Sequence, residues 1–145
     1  KQKVYHDKRS KNTIIAFKGT NILDKADLKT DLKIGLGLEK YDKQFKDAED
    51  VYEKTRGKYG DNVILTGHSK AGTQANHVAG KYNKPAIIFN PGTGILPLKT
   101  PNSKVYNVKG DPIAERVDKT DVILDQTSWN PHTLNNYESY FDKIL

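Results

Sequence analysis

Cysteine and methionine are both absent from this 145-residue sequence, and tryptophan occurs once. Without cysteine there is no disulfide, no thiol nucleophile and no thiolate metal site, although the redox compartment stays open. No apolar run approaches the roughly 20 residues that a membrane-spanning helix needs, and no charged-then-apolar leader is visible. Because the chain opens at Lys1 with no methionine, we expect a fragment or processed product from which a targeting segment could have been removed. We therefore predict a soluble chain of unassigned compartment and oligomeric state.

Arginine is scarce as well. Only Arg9, Arg56 and Arg116 accompany the lysines in a chain of formal net charge +6. There is no arginine cluster, no basic run interleaved with aromatic residues and no nucleic-acid-binding motif, so we expect no nucleic-acid partner. The lysines are spread along the whole chain. They either form a solvated surface that keeps the protein soluble or attract it weakly, as a peripheral contact, to an anionic phospholipid membrane.

The apolar residues, 35% of the chain, are concentrated in short continuous runs. Unbroken β-branched runs are typical of strands that are buried on both faces of a parallel sheet covered by helices. The runs are Ile14-Ile15-Ala16-Phe17, Val63-Ile64-Leu65, Ala86-Ile87-Ile88-Phe89 and Val122-Ile123-Leu124, with weaker candidates at Val105-Tyr106-Asn107-Val108 and Val4-Tyr5.

Three amphipathic helices are predicted from side chains that recur at three- and four-residue steps. The stripes are Tyr41, Phe45, Ala48, Tyr52 and Thr55; Ala71, Gln74, Ala75, Val78, Ala79 and Tyr82; and Leu134, Tyr137, Phe141 and Ile144. Strands that alternate with helices, in a length that suits one domain over residues 1–145, predict an α/β fold with a mostly parallel sheet.

Residues 21–40 carry two conflicting periods. Leu32, Ile34, Leu36 and Leu38 alternate as in a strand, whereas Leu28 and Leu32 have helical spacing. The segment therefore either packs over the sheet or forms a short lid that contacts an acyl chain.

The sharpest local signal is Gly67-His68-Ser69-Lys70-Ala71-Gly72, which follows a predicted strand and opens a predicted helix. A serine on such a turn is forced into a strained conformation that lifts its hydroxyl clear of the sheet edge. The neighbouring positions must be small, because strand and helix nearly touch there. The helix N-terminus adds amides that suit a developing oxyanion. We predict that Ser69 is a nucleophile; the alternative is a plain turn with Ser69 as helix N-cap.

A serine nucleophile needs a base, and four histidines are available. We expect His68 to pack beneath the turn, His77 to lie too far along its helix, and His6 to sit at a sheet edge. His132 follows the last predicted strand, in a loop of the kind that lines the crevice at the carboxyl ends of strands. His132 is therefore the predicted general base.

An orienting carboxylate should follow a strand that lies between these two residues in sequence. Asp111 does so, after Gly110 and before Pro112, although an ordinary Asp-Pro turn would look the same. Asp118, Asp121 and Asp125 compete, and Asp125 is the serious rival because it ends a predicted strand. The order Ser, Asp, His is the one expected of α/β hydrolases.

Four segments together resemble the class 3, fungal-lipase-like branch of the α/β hydrolases over almost the whole chain. They are Ile15-Ala16-Phe17-Lys18-Gly19-Thr20, Val63 to Gly72, Val105 to Ile113, and Pro131-His132 with Tyr137. The resemblance implies a mostly parallel α/β-hydrolase sheet of reduced size and an esterase, lipase or phospholipase that acts through Ser69, Asp111 and His132. It also implies an oxyanion hole built from Thr20 and the backbone amide of Lys70, with no metal and no organic cofactor.

The chain departs from that family at a few positions. Lys70 stands where an apolar residue is usual, Ala71 replaces a glycine, and Lys18 replaces an arginine. A lysine beside the nucleophile extends to water, favours a substrate that carries a phosphate, or lowers the basicity of His132. The short chain leaves no room for a long lid, so we expect an open site. An acyltransferase, or a non-catalytic module that binds lipid or protein, remains the alternative to a hydrolase.

Overall fold

The computed structural model describes residues 2–18, 37–91, 102–111, 120–126, 130 and 134–144. Six strands are present in this part of the chain: β1 (Gln2–His6), β2 (Thr13–Phe17), β3 (Val63–His68), β4 (Ala86–Phe89), β5 (Ser103–Val108) and β6 (Val122–Leu124). Three helices accompany them: α1 (Gly37–Tyr59), α2 (Lys70–Tyr82) and α3 (Asn135–Ile144).

The strands form one six-stranded sheet whose spatial order, β1-β2-β3-β4-β5-β6, equals their order along the chain. The pair β1–β2 is antiparallel, and every other neighbouring pair is parallel. Both predicted weaker strands are present, one of them as the edge strand β1. The predicted mostly parallel α/β sheet with flanking helices is confirmed, and it is consistent with an α/β-hydrolase-like fold.

The main core lies between the sheet and the helices α1 and α2. Alternate residues of the central strands, such as Ile15, Leu65 and Ile88, point to this face and are fully buried. Helix α1 covers them with Ala48 and Tyr52, members of the stripe that predicted it. This layered packing requires an apolar stripe of helical period on each helix and continuous β-branched runs on the strands beneath it.

The opposite face is covered by α3 at the β5–β6 end of the sheet. Tyr137 of α3 packs there with Tyr106, Val108 and Leu124, and its ring meets Phe89 edge-on at 4.8 Å between centroids. Farther along the same face Ile14 and Ile87 are 39% and 40% exposed.

The segment with the ambiguous period lies outside the described residues up to position 36. Leu38 belongs to α1, so at this position the chain follows a helical period and not the strand-like alternation. Four consecutive alternating positions do not distinguish a strand from the first turn of a helix when glycines separate the apolar residues. Within the part of the chain that the structure describes, no helix is both long enough and apolar enough to cross a bilayer.

Candidate active site

Ser69 lies on the turn between β3 and α2 with φ 60° and ψ −128°, outside the regions that L-residues favour. Two backbone hydrogen bonds hold it there. The Ser69 amide donates to the Phe89 carbonyl at 3.0 Å, and the Gly72 amide donates to the Ser69 carbonyl at 2.9 Å. Although Ser69 occupies the N-cap position of α2, its hydroxyl makes no capping hydrogen bond. The backbone strain is therefore not explained by helix capping, and residues held in such conformations cluster at functional sites.

The two glycines around Ser69 let α2 approach the sheet closely. A Cβ added to Gly67 would lie 2.2 Å from the carbonyl oxygen of Ala71, and one added to Gly72 would lie 2.9 Å from Cγ2 of Ile88. The structure thus requires small residues at this turn, as predicted. The requirement is most severe at Gly67, because the atoms that a Cβ would meet there belong to the backbone.

Asp111 follows β5 and is completely buried. Gly110, with φ 84°, turns the chain in front of it, and the Asp111 amide donates to the Val108 carbonyl at 3.2 Å. One of its carboxylate oxygens, Oδ2, accepts a hydrogen bond from Nδ2 of Asn90 at 2.5 Å. A buried carboxylate with a donor of this kind is held in a fixed orientation.

The rival carboxylates that the structure describes have other surroundings. Asp125, at the end of β6, is exposed. Asp121 accepts the Val105 amide at 2.7 Å and so supports the start of the β5–β6 pairing. Asp118 lies outside the described residues. Among these described carboxylates, Asp111 is therefore the one that is buried and that directly follows a strand at the carboxyl edge of the sheet.

Sequence reasoning missed Asn90, which follows β4 with a positive φ of 41° and is fully buried. The backbone N–H of Asn90 donates to the Tyr106 carbonyl at 2.8 Å. The Tyr137 hydroxyl contacts both Asn90 Oδ1 and the Tyr106 carbonyl, the latter at 2.9 Å. Burial, and then the charge of Asp111, raise the pKa of Tyr137, so this hydroxyl stays protonated. The only available signal was an asparagine directly after a buried strand.

Ser69, Asn90 and Asp111 follow three neighbouring parallel strands, β3, β4 and β5. The carboxyl ends of parallel strands share one edge of a sheet, and ligands of open α/β sheets bind at that edge. The fold therefore brings a strained serine and a buried carboxylate to the same edge.

The histidines divide clearly. Nε2 of His77 lies 2.7 Å from Glu49 Oε1 and its ring stacks on Phe45, so His77 belongs to the α1–α2 interface. His6 lies on the edge strand, with its Nδ1 2.9 Å from the hydroxyl of Thr13. His68 ends β3 and is half-buried. His132, like Thr20, lies outside the described residues, so the predicted base and this part of the predicted oxyanion hole stay predictions.

A cleft of about 400 Å³ opens beside the serine turn, between α1, α2 and the ends of β1 and β2. Its described lining contains two lysines, one carboxylate, three glutamine amides and a small apolar floor: Lys18, Lys70, Asp47, Gln2, Gln44, Gln74, Phe17, Ala48, Val51 and Ala71. Volumes of this size are typical of small-molecule sites.

Residues 1–118 match the model of one protein family, described as a Tle-like phospholipase domain. The chain belongs to the Tle-like phospholipase domain family. The match contains both Ser69 and Asp111, whereas His132 lies beyond it. Membership in this phospholipase family points to hydrolysis of lipid esters as the general activity. Neither the curated proteins nor the solved structures contained a significant match to the chain.

Proposed function

We propose that this phospholipase-like domain is a serine hydrolase that cleaves carboxylic esters of lipids through Ser69, His132 and Asp111. The observation that carries the proposal is the strained backbone of Ser69 between a parallel strand and a helix. Asn83 also has a positive φ, of 53°, at the plain end of α2, but its ψ of 52° is left-handed helical, whereas the ψ of −128° at Ser69 lies outside that region. The buried Asp111 at the same sheet edge supports the assignment of the carboxylate.

In the proposed first step, His132 accepts the Ser69 hydroxyl proton while Oγ attacks the ester carbonyl carbon. The imidazolium then gives this proton to the leaving alcohol oxygen as its bond to the acyl carbon breaks. In the second step water donates a proton to His132 and attacks the acyl carbon, after which Ser69 leaves and recovers a proton. Asp111 holds the imidazole in the required tautomer throughout. One ester and one water become one carboxylic acid and one alcohol.

The negative charge on the tetrahedral oxygen needs hydrogen-bond donors. The backbone amide of Lys70, at the first residue of α2, is suitably placed in sequence, because the first amides of a helix have no carbonyl partner within that helix. Thr20 is the second donor that the class 3 lipase resemblance implies. Loss of one such donor costs on the order of 100-fold or more in kcat.

A fluorophosphonate probe tests the nucleophile directly. We expect the probe to label the wild-type protein and Ser10→Ala, in which an exposed serine that contacts Asp7 is removed. Ser69→Ala should abolish labelling while circular dichroism shows an unchanged fold. A folded wild-type protein that resists the probe would favour a non-catalytic, lipid-binding module.

The substrate is tested with esters of increasing chain length together with phosphatidylglycerol. The lysine-rich composition and the phospholipase family both favour the phospholipid. A clear preference for short, soluble esters would contradict this choice. Accumulation of an acyl product on an added alcohol, in place of free acid, would identify an acyltransferase.

A further inference from the structure

We propose that the cleft beside the serine turn binds the phosphodiester of a phospholipid headgroup while the scissile ester lies at Ser69. The proposal rests on the function proposed above and names the part of the substrate that the cleft recognises. Among the described lining residues, two cations, Lys18 and Lys70, face a single carboxylate, Asp47. Both ammonium groups carry positive charge and N–H donors, which are the groups that bind the oxygens of a phosphodiester.

The lining also supplies neutral hydrogen-bond groups. Gln44 of α1 and Gln74 of α2 reach each other across the cleft, with Nε2 of Gln74 at 3.5 Å from Oε1 of Gln44. Amide and ammonium donors on several elements are suited to phosphate oxygens, and hydrogen bonds to a charged group are the stronger kind.

The cleft is close enough to the serine to hold the same molecule. Lys70 directly follows Ser69, and consecutive Cα atoms are about 3.8 Å apart. Because the phosphate of a glycerophospholipid is separated from its ester groups by only the glycerol carbons, one lipid can reach both places. Lys70, which stands where the resembled lipases usually have an apolar residue, would then bind the phosphate of the headgroup.

The test compares hydrolysis of phosphatidylglycerol with that of a diacylglycerol of identical acyl chains, both in micelles of a neutral detergent. We expect the ratio of the two rates to fall about tenfold or more in Lys18→Met/Lys70→Met, since a lost charge-assisted contact of about 1.4 kcal/mol is a factor of ten. Lys54→Met, an exposed lysine of α1 outside the cleft, removes one charge and serves as the control, alongside single Lys18→Met.

An unchanged ratio in the double variant, or an equal fall in Lys54→Met and Lys18→Met, would overturn the headgroup site. A wild-type protein that cleaves neither lipid contradicts the proposed function instead. The cleft is then tested without catalysis, by NMR titration of Ser69→Ala with glycerophosphoglycerol. Shifts at the Gln44 and Gln74 side-chain amides that disappear in the lysine variants support the site, and no shifts would overturn it.

A separate observation, the buried contact chain from Tyr137 through Asn90 to Asp111, carries a second inference. We infer that Asn90 is a positioning residue for the Asp111 carboxylate, again within the proposed function. An ionised carboxylate at 2.5 Å repels an amide oxygen, so Nδ2 of Asn90 must face Asp111. Its Oδ1 consequently faces the Tyr137 hydroxyl, which donates to it. The Tyr137 hydroxyl has one proton for two acceptors, Asn90 Oδ1 and the Tyr106 carbonyl, and it supports this amide orientation when it donates to Oδ1.

The variants are Asn90→Leu, which removes the donor at similar size, and Tyr137→Phe, which keeps the ring contacts with Phe89. Without the Nδ2 donor the carboxylate becomes more basic, and a more basic carboxylate raises the pKa of the imidazolium that it orients in the proposed mechanism. We expect kcat/KM to fall about tenfold or more, a loss of roughly one hydrogen bond to a charged group. The acid limb of its pH profile should move to higher pH, more in Asn90→Leu than in Tyr137→Phe.

A structural role alone would lower the denaturation midpoint and leave the pH profile where it is in the wild type. That result in either variant would overturn the positioning role. If Asn90→Leu does not fold, Tyr137→Phe carries the test by itself. An inactive wild-type protein contradicts the proposed function, whereas an active one with unshifted variants contradicts only the role of Asn90.

Discussion

The carbonyl oxygen of Ala71 lies 2.2 Å from the position that a Cβ on Gly67 would occupy. No real Cβ tolerates this distance, and the obstacle is backbone, which cannot rotate away. We expect Gly67→Ala to lower the free energy of unfolding by about 3 kcal/mol or more in urea denaturation. Labelling of Ser69 by the fluorophosphonate should be lost with it, because α2 must move away from β3.

Gly57→Ala is the matched control for that experiment. Gly57 lies in the last turn of α1, and apart from its chain neighbours and its own helix backbone no atom is within 4 Å of the Cβ that would be added. Replacement of this glycine by alanine should stabilise the protein by up to about 1 kcal/mol. A Gly67→Ala variant as stable as the wild type would contradict the close strand–helix contact.

The contact at Gly72 is of a different kind, because its nearest obstacle is the side-chain Cγ2 of Ile88 at 2.9 Å. Gly72→Ala should therefore destabilise the protein less when Ile88→Ala has removed that carbon. We expect a coupling of about 1 kcal/mol in the double-mutant cycle, in the range seen for residues in contact. Gly67→Ala should show no such rescue by Ile88→Ala, and additivity at both glycines would contradict the distinction.

Asp111→Asn tests the choice among the carboxylates. Loss of the carboxylate that orients the histidine of a serine hydrolase lowers kcat by about 10⁴, because the imidazole takes the wrong tautomer. We expect a loss of that order in ester hydrolysis, with labelling strongly slowed. Asp125→Asn, at an exposed position, should retain wild-type rates. The reverse pattern would show that the rival at the end of β6 is the orienting residue.

Glu49 joins α1 to α2 by accepting from Lys81 at 2.6 Å and meeting His77 at 2.7 Å. The hydrogen bonds from Lys81 and then from His77 lower the pKa of Glu49 below its ordinary value of 4.5. A lowered pKa means that this stabilisation is complete above pH 4.5 and is lost as the pH falls through the folded-state pKa.

Glu49→Gln should therefore lower the thermal midpoint at pH 7, and the difference from the wild type should shrink as the pH drops below 4.5. Asp50→Asn, at an exposed carboxylate in the middle of α1, is the control and should leave the midpoint nearly unchanged at both pH values. A difference for Glu49→Gln that persists at pH 3 would contradict an electrostatic cause.

The strands and the serine turn could be predicted because their signals are local. A continuous run such as Ala86–Phe89 has to be buried on both faces, and a Gly-x-Ser turn between a strand and a helix restricts its own neighbours. The same holds for the stripe that buries Ala48 and Tyr52. These features depend on residues that are close together in the sequence.

Asn90 could not be predicted because its function depends on partners that are far away in the sequence. Its side-chain amide contacts Asp111, which is 21 residues away in the sequence, and Tyr137, which is 47 residues away. An asparagine after a strand is also common in ordinary turns, where it tolerates a positive φ. The pairing of Glu49 with His77 is hidden for the same reason, since each looks like a solvated residue of its own helix.

The strands lie side by side in the order in which a ribosome makes them. Each new strand can therefore join the edge left by its predecessor as the chain emerges. The backbone bonds that strain Ser69 come from β4 and α2, whereas Asp111 emerges only after β5. During synthesis the strained turn at Ser69 can thus be complete before Asp111 has emerged, so the geometry of the turn does not depend on the carboxylate.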